Sequence, residues 1–163
     1  MDRHMEVQYP WTGRRVLMVG EMGQGVRTHT FPMDAVELFR LHIANFGFPA
    51  QEGDSDIYAE DVVVMMPYAP EGHTNRIEGP VAVRKFLARI GDFFQDLEMG
   101  EPKIQLTEEG LVAEIHGEST SKETGRRYVQ DYVMMLRARD GKIAEVKDYY
   151  NPMKVLYATG EID

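Results

Sequence analysis

Arg126-Arg127-Tyr128-Val129-Gln130-Asp131-Tyr132-Val133-Met134-Met135-Leu136-Arg137-Ala138-Arg139 is followed by Asp140-Gly141-Lys142 and then by Ile143-Ala144-Glu145-Val146-Lys147-Asp148-Tyr149-Tyr150-Asn151-Pro152. The two apolar-rich runs joined by Arg139-Asp140-Gly141-Lys142 read as a long β-hairpin, with Gly where a tight turn needs positive φ. Side chains alternate across a strand. Tyr128, Gln130, Tyr132, Met134 and Leu136 therefore share one face, and Val129, Asp131, Val133 and Met135 the other. In the second strand Ala144, Val146, Asp148 and Tyr150 point one way, and Ile143, Glu145, Lys147 and Tyr149 the other. Asp148 is thus a carboxylate on an apolar face, where an ionisable group is costly unless it is paired or put to use.

Working outward, two more strands precede this hairpin, near Leu97 to Leu106 and Leu111 to Ser119. Polar turns at Glu108-Glu109-Gly110 and Lys122-Glu123-Thr124-Gly125 separate them. Upstream, Val36, Phe39, Ile43 and Phe46 recur at helical spacing, with Thr30 as a cap, Pro32 in the first turn and Gly47 as the stop. Gly53-Asp54-Ser55-Asp56 is a turn leading to a short helical piece around Ile57 to Glu60, and Asp61 to Tyr68 reads as a strand ended by Pro67 and Pro70. Ile77-Glu78-Gly79 is a short return. Pro80 opens a second helix whose stripe is Val83, Phe86, Leu87, Ile90 and Phe94. A last short helix spans about Met153 to Ala158 and finishes at Gly160. Helices first and a four-strand antiparallel meander after them make an α+β pattern, a curved sheet covered by helices on one face.

The length of 163 residues suits one domain. We expect residues 1 to 30 to form an N-terminal arm or hairpin and residues 31 to 163 a single domain. Hydrophobic residues make up 43% and charged residues 28%, values of a soluble globular chain, and no apolar run is long enough to span a bilayer. The net charge of −9, without any Lys/Arg cluster, argues against nucleic acid as a partner. There is no cysteine, which excludes disulfides and thiol chemistry, and with no secretory leader a cytoplasmic location is expected. Eleven Met, eight Tyr and seven Phe suit an adaptable apolar cavity or, equally, the filling of core gaps.

Asp61-Val62-Val63-Val64, Pro67-Tyr68-Ala69-Pro70-Glu71-Gly72 and Arg76-Ile77-Glu78-Gly79 with Val83 and Phe86-Leu87 resemble the SnoaL-like branch of the nuclear transport factor 2 superfamily. Asp148-Tyr149-Tyr150-Asn151-Pro152 resembles its closing strand. The resemblance covers about Pro32 to Ala158. It implies a cone-shaped α+β half-barrel, a deep apolar pocket between curved sheet and helices, a small hydrophobic ligand and a homodimer. The branch includes polyketide cyclases and phenazine-biosynthesis proteins, and the wider superfamily ketosteroid isomerases, scytalone dehydratase and limonene epoxide hydrolase. In the cyclase and phenazine relatives an acid on the last strand, just before Asn-Pro, is the general acid or base, and Asp148 occupies that place. The phenazine proteins also use a His just after the glycine that precedes the long helix. Pro80 stands there, which argues against a phenazine-type substrate.

The resemblance places the Tyr-x-Gln-x-Tyr face of the long strand in the pocket. Gln130, Tyr128 and Tyr132 would then address a carbonyl or hydroxyl near Asp148, whereas the plain alternative is a mixed core face. Asp148 itself has three readings: an acid or base whose proton affinity is raised by burial, a structural group paired with an amide near Asn151, or a solvated rim residue. Asp131 would couple to it only if the strand phase slipped by one. Tyr68 is a further donor candidate, and Met65, Phe46, Phe86, Phe94, Met134 and Val146 would line the apolar wall.

Glu114, His116 and Glu118 share one strand face. Because Leu111, Ala113 and Ile115 make the opposite face the apolar one, a solvated or dimer face is the reading adopted and no metal site is assigned. Gly20-Glu21-Met22-Gly23-Gln24-Gly25 evokes a phosphate loop, but the glycine order is wrong for a dinucleotide fingerprint and no Lys-Ser/Thr follows Gly25, so no nucleotide is expected. A flexible arm covering a pocket or a neighbouring subunit is expected instead. The sequence points to an isomerase, dehydratase or cyclase type of acid/base enzyme that needs no cofactor. A non-catalytic ligand-binding or dimerisation module is the alternative. Epoxide hydrolysis ranks below both, since no Arg is found for an Asp-Arg-Asp set.

Overall fold

A computed structural model describes residues 5–8, 15–18 and 34–163. The chain divides into two compact units, Met1–Phe31 and Pro32–Asp163. In the first, β1 (Met5–Gln8) pairs antiparallel with β2 (Arg15–Met18), in the register Met5 with Met18 and Gln8 with Arg15. The expected cap at Thr30, the Pro32 turn and the Gly20–Gly25 loop lie outside the described residues.

The second unit opens with α1 (Ala35–Ala44). Asp34, not Thr30, caps it, its Oδ1 accepting the Glu37 N–H at 2.8 Å. The short 3₁₀ helix is Asp54–Ile57, three residues earlier than expected, and β3 is Tyr58–Met65. Tyr58 and Ala59 are buried and belong to the ladder, so the strand starts before the Val run that signals it. β4 (Arg76–Glu78) returns antiparallel to β3, and α2 (Pro80–Phe93) follows, with Pro80 in its first turn. The single strand expected from Leu97 to Leu106 is two, β5 (Phe94–Met99) and β6 (Lys103–Leu106). Pro102, which has no N–H for a ladder, lies in the break between them. β7 (Gly110–Ser121), β8 (Arg127–Arg139), β9 (Lys142–Tyr149) and α3 (Pro152–Thr159) complete the unit.

The seven strands of this unit form one curved, unclosed sheet in the order β4-β3-β9-β8-β7-β5, with β6 also on β7. All pairings are antiparallel except β3 with β9, where Val64 stands beside Val146. The sheet is therefore mixed, and the expected α+β class holds. Its inner face carries Leu111, Ala113, Ile115, Met134, Leu136 and Val146, each at most 3% exposed, against Leu38 and Phe39 of α1 and Val83 and Leu87 of α2. One facing differs from strict alternation: Ile143, expected opposite Ala144, is fully buried with it. The register with β8 slips between the Arg137–Glu145 and Ala138–Ile143 pairs, so the bulge turns both residues inward.

The Glu114, His116, Glu118 face is the outer one, as expected from its polarity. His116 bonds Asp131 through Nδ1 (2.7 Å) and Glu118 through Nε2 (3.1 Å), and these carboxylates raise its pKa. No described helix is long and apolar enough to cross a membrane.

Helix α2 and the turn after α1 meet backbone to backbone at Gly91 and Gly47, where Gly47 N–H donates to Leu87 O (2.9 Å). A Cβ at Gly91 would fall on the Gly47 carbonyl oxygen. Gly91→Ala is therefore expected to lower stability by about 1–3 kcal/mol despite alanine's better helix propensity. Thermal unfolding of the variant checks this, and a raised midpoint would contradict it.

Candidate active site

The inner faces of β8 and β9 bring together much of what the sequence nominates. Tyr128, Gln130, Tyr132 and Met134 are all buried on one face of β8, and Asp131 is exposed on the other, bonded to His116. The strand phase therefore holds, and no Asp131–Asp148 dyad forms. Asp148 is paired with Met134 in the β8–β9 register. The residue is half-buried, but its Oδ1 is shut off from solvent and finds no hydrogen-bond partner among the described residues. Oδ1 therefore makes no structural bond to an amide near Asn151. Burial without a compensating bond pushes its pKa up to about 7.

The amide near Asn151 is instead taken by Gln130. Its Oε1 accepts the Asn151 N–H (3.1 Å), and its Nε2 donates to Asn151 O (3.0 Å) and to the Tyr128 hydroxyl (3.1 Å). Reversing the amide would set N–H against N–H and O against O, so its orientation is determined by its partners. Asn151 also caps α3, its Oδ1 accepting the Met153 N–H (3.0 Å), which ties the helix to the same point.

The Tyr132 and Tyr128 hydroxyls lie 3.3 Å apart. Two hydroxyls bring two protons to a single mutual bond, and both Gln130 N–H groups are already spent. Whichever way the bond runs, one tyrosine proton is left to donate elsewhere. Burial raises the pKa of both tyrosines, with the Asp148 charge as a further cause, and pushes Tyr150 beside them up to about 12. All three remain donors at neutral pH. Gly117, opposite Gln130 on β7, gives the Tyr132 ring its place: a Cβ there would meet Tyr132 Cε2 at 3.1 Å and Met99 Sδ at 2.8 Å.

The apolar candidates divide. Met134 and Val146 are fully buried, Phe46 is buried, Phe86 is half-buried against the core, and the Phe94 ring lies 4.9 Å from that of Tyr128. Met65 does not belong with them. It pairs with Lys147 on the opposite face of β3, and the neighbouring Met66, 4% exposed, is the buried one. Tyr68 is also apart: it is 61% exposed beyond the end of β3, edge-on to Tyr149, which β9 turns away from Asp148. Sequence reading passes over Tyr150, Asn151 and Ser119. Tyr150 follows from the alternation that exposes Asp148, whereas the Gln130–Asn151 bonds had no local signal.

Among the described residues no group of three or more His, Asp or Glu side chains is placed to hold a metal ion. A second buried polar pair lies elsewhere: His42 Nδ1 is 2.8 Å from the Tyr58 hydroxyl, and burial lowers the His42 pKa to about 4, so the ring is neutral. Tyr58 is aligned with Ile143, at the far end of β9 from Asp148.

Residues 52–146 match the model of the SnoaL-like domain family. An uncharacterized PhzA/B-like protein of Pseudomonas aeruginosa is 30% identical over 118 residues, which cover 68% of this chain and 79% of that protein. The crystal structure of a candidate isomerase from Bacillus subtilis superposes with a TM-score of 0.70 at 29% identity, over 78% of this chain and 94% of its own. An NTF2-like protein from Burkholderia xenovorans superposes with a TM-score of 0.64 at 19% identity, over 77% and 95%, a likeness of fold alone.

Proposed function

This chain belongs to the SnoaL-like domain family, and from that premise we propose that it is an acid/base enzyme acting on a small hydrophobic, oxygenated molecule such as a polyketide or another cyclic ketone. The observation that carries the reading is the buried, unpartnered Asp148 Oδ1 on the same sheet face as a tyrosine pair with one proton to spare. Asp148 as carboxylate removes a proton from the carbon next to a carbonyl. The C–H electrons move into the carbon–carbon bond and the carbonyl π electrons onto oxygen, where a tyrosine hydroxyl donates to the enolate. Return of the proton to another carbon is isomerisation, loss of a β-oxygen is dehydration, and attack on a second carbonyl is cyclisation. With the Asp148 pKa at about 7, both protonation states are populated near neutrality, as a proton carrier requires.

Solvent-deuterium exchange at the α-carbon of 1-tetralone, followed by NMR, tests the proposal. The native chain is expected to catalyse exchange, and Asp148→Asn to slow it by about 10²–10⁴-fold while the ketone still binds. Equal exchange rates in the two proteins would sink the assignment. Binding without exchange in either would favour a non-catalytic ligand carrier.

A further inference from the structure

Among the described residues, two side-chain oxygens are shut off from solvent without a hydrogen-bond partner: Asp148 Oδ1 and Ser119 Oγ. The reading above uses the first. Ser119 lies on β7, directly opposite Tyr128, on the inner face that also holds Ile115 and Gly117, and is 2% exposed. A serine hydroxyl rotates to find whatever acceptor is within reach, so an orphaned one has none among the described residues. Its desolvation is then uncompensated, a state that buried polar groups seldom keep without a ligand or water to complete them.

Position gives this hydroxyl a role. Across the sheet the order is β9, β8, β7, with Asp148 beside Met134 and Ser119 beside Tyr128, further along β8, so the tyrosine-bearing strand lies between the two orphaned oxygens and they are offset along it. A ketone with its α-carbon at Asp148 and its oxygen at the tyrosines extends its far side towards β7. Resting on the acid/base reading for that orientation, we infer that Ser119 is a substrate-binding residue that pairs with a second oxygen of the ligand, on the side of the carbonyl away from the abstracted proton. The substrate is thus at least dioxygenated, and Ser119 selects for the second oxygen without taking part in proton transfer.

Calorimetric titration of the native chain, Ser119→Ala and Asp148→Asn with 1-tetralone and with 7-hydroxy-1-tetralone tests this. The second ketone carries its extra oxygen on the side of the carbonyl away from the α-carbon. The native chain is expected to bind the hydroxylated ketone about ten-fold more tightly, the worth of one good hydrogen bond. Ser119→Ala should lose that preference, and Asp148→Asn should keep it. No binding of the hydroxylated ketone, no preference in the native chain, or a preference surviving in Ser119→Ala overturns the inference. The melting temperature of ligand-free Ser119→Ala should be unchanged or raised, and a fall would mean that the hydroxyl is partnered within the fold, which also overturns it. Preference without Asp148-dependent exchange would leave Ser119 as a binding residue while removing the acid/base reading.

Discussion

Asp148→Asn is expected to make the folded chain more stable at pH 8, by up to about 4 kcal/mol, and to change it little at pH 4. The folded-state pKa of Asp148 is about 7, above the carboxylate's ordinary value of about 3.9. Between those two values the native state holds a proton that the unfolded chain has released. The stability owed to the protonated form is complete below about pH 4 and is lost as pH rises through about 7. A separation of about three units corresponds to about 4 kcal/mol, and asparagine keeps the shape of the side chain without ionising. Urea unfolding at pH 4.5 and pH 8 measures this: the native chain should weaken towards pH 8 relative to the variant. Parallel pH dependence in the two proteins would place the titrating group elsewhere. The same ionisation should govern exchange, whose rate rises through pH 7 as the carboxylate forms. Stability and activity would then run in opposite directions with pH, the trade expected where a buried group is kept for use rather than for support.

Asp54→Ala is expected to cost about 3–5 kcal/mol, the range for removing one partner of a buried ion pair. Arg84 of α2 is 3% exposed and donates to Asp54 Oδ2 through Nε (3.1 Å) and Nη2 (3.0 Å). The same guanidinium donates to the carbonyls of Phe48 (3.2 Å), Pro49 (3.0 Å) and Asn45 (3.5 Å). One cation thus joins α2, the turn after α1 and the 3₁₀ helix, and without Asp54 its charge has no carboxylate bonded to it among the described residues. Adding Arg84→Met to Asp54→Ala should recover part of the loss by removing the stranded charge, while the three carbonyls lose their donors. Denaturant melts of both variants decide it, and a loss below about 1 kcal/mol for Asp54→Ala would show that the carbonyls alone hold the guanidinium.

The fold was legible where periodicity is long. The alternation of Tyr128 to Leu136 and the stripe of Val83, Phe86, Leu87 and Ile90 predict facings that the structure keeps, whereas Phe94, read as the end of that stripe, opens β5 instead. Legibility fails where a backbone irregularity intervenes. The bulge that buries Ile143 beside Ala144 carries no residue signal, and Pro102 marks a break within a run that otherwise reads as one strand. Within the site, Asp148 announced itself as a charge among apolar neighbours, and Gln130 and the tyrosines as polar groups on an inward face. Met65 falls on the other face of β3 because alternation alone does not say which face is inner; the parallel pairing that puts Val64 beside Val146 decides it, and Tyr68 lies past the end of that strand, where alternation says nothing. Ser119 was invisible for another reason: a small hydroxyl looks alike in sequence whether it is satisfied or not, and only the lack of a hydrogen-bond partner among the described residues distinguishes the two.

The parallel pairing of β3 with β9 also has a temporal side. Two segments about eighty residues apart in sequence must lie side by side before the central ladder closes, and a loop of that size carries a large closure entropy. During synthesis, β3 and β4 leave the ribosome with one edge unpaired until the last strand arrives. Residues 142–163, which carry Asp148 and the Asn151 that orients Gln130, therefore both complete the sheet and assemble the proposed site. Folding of this kind is slow and non-local, and a chain truncated before Lys142 should expose a Val-rich edge open to aggregation.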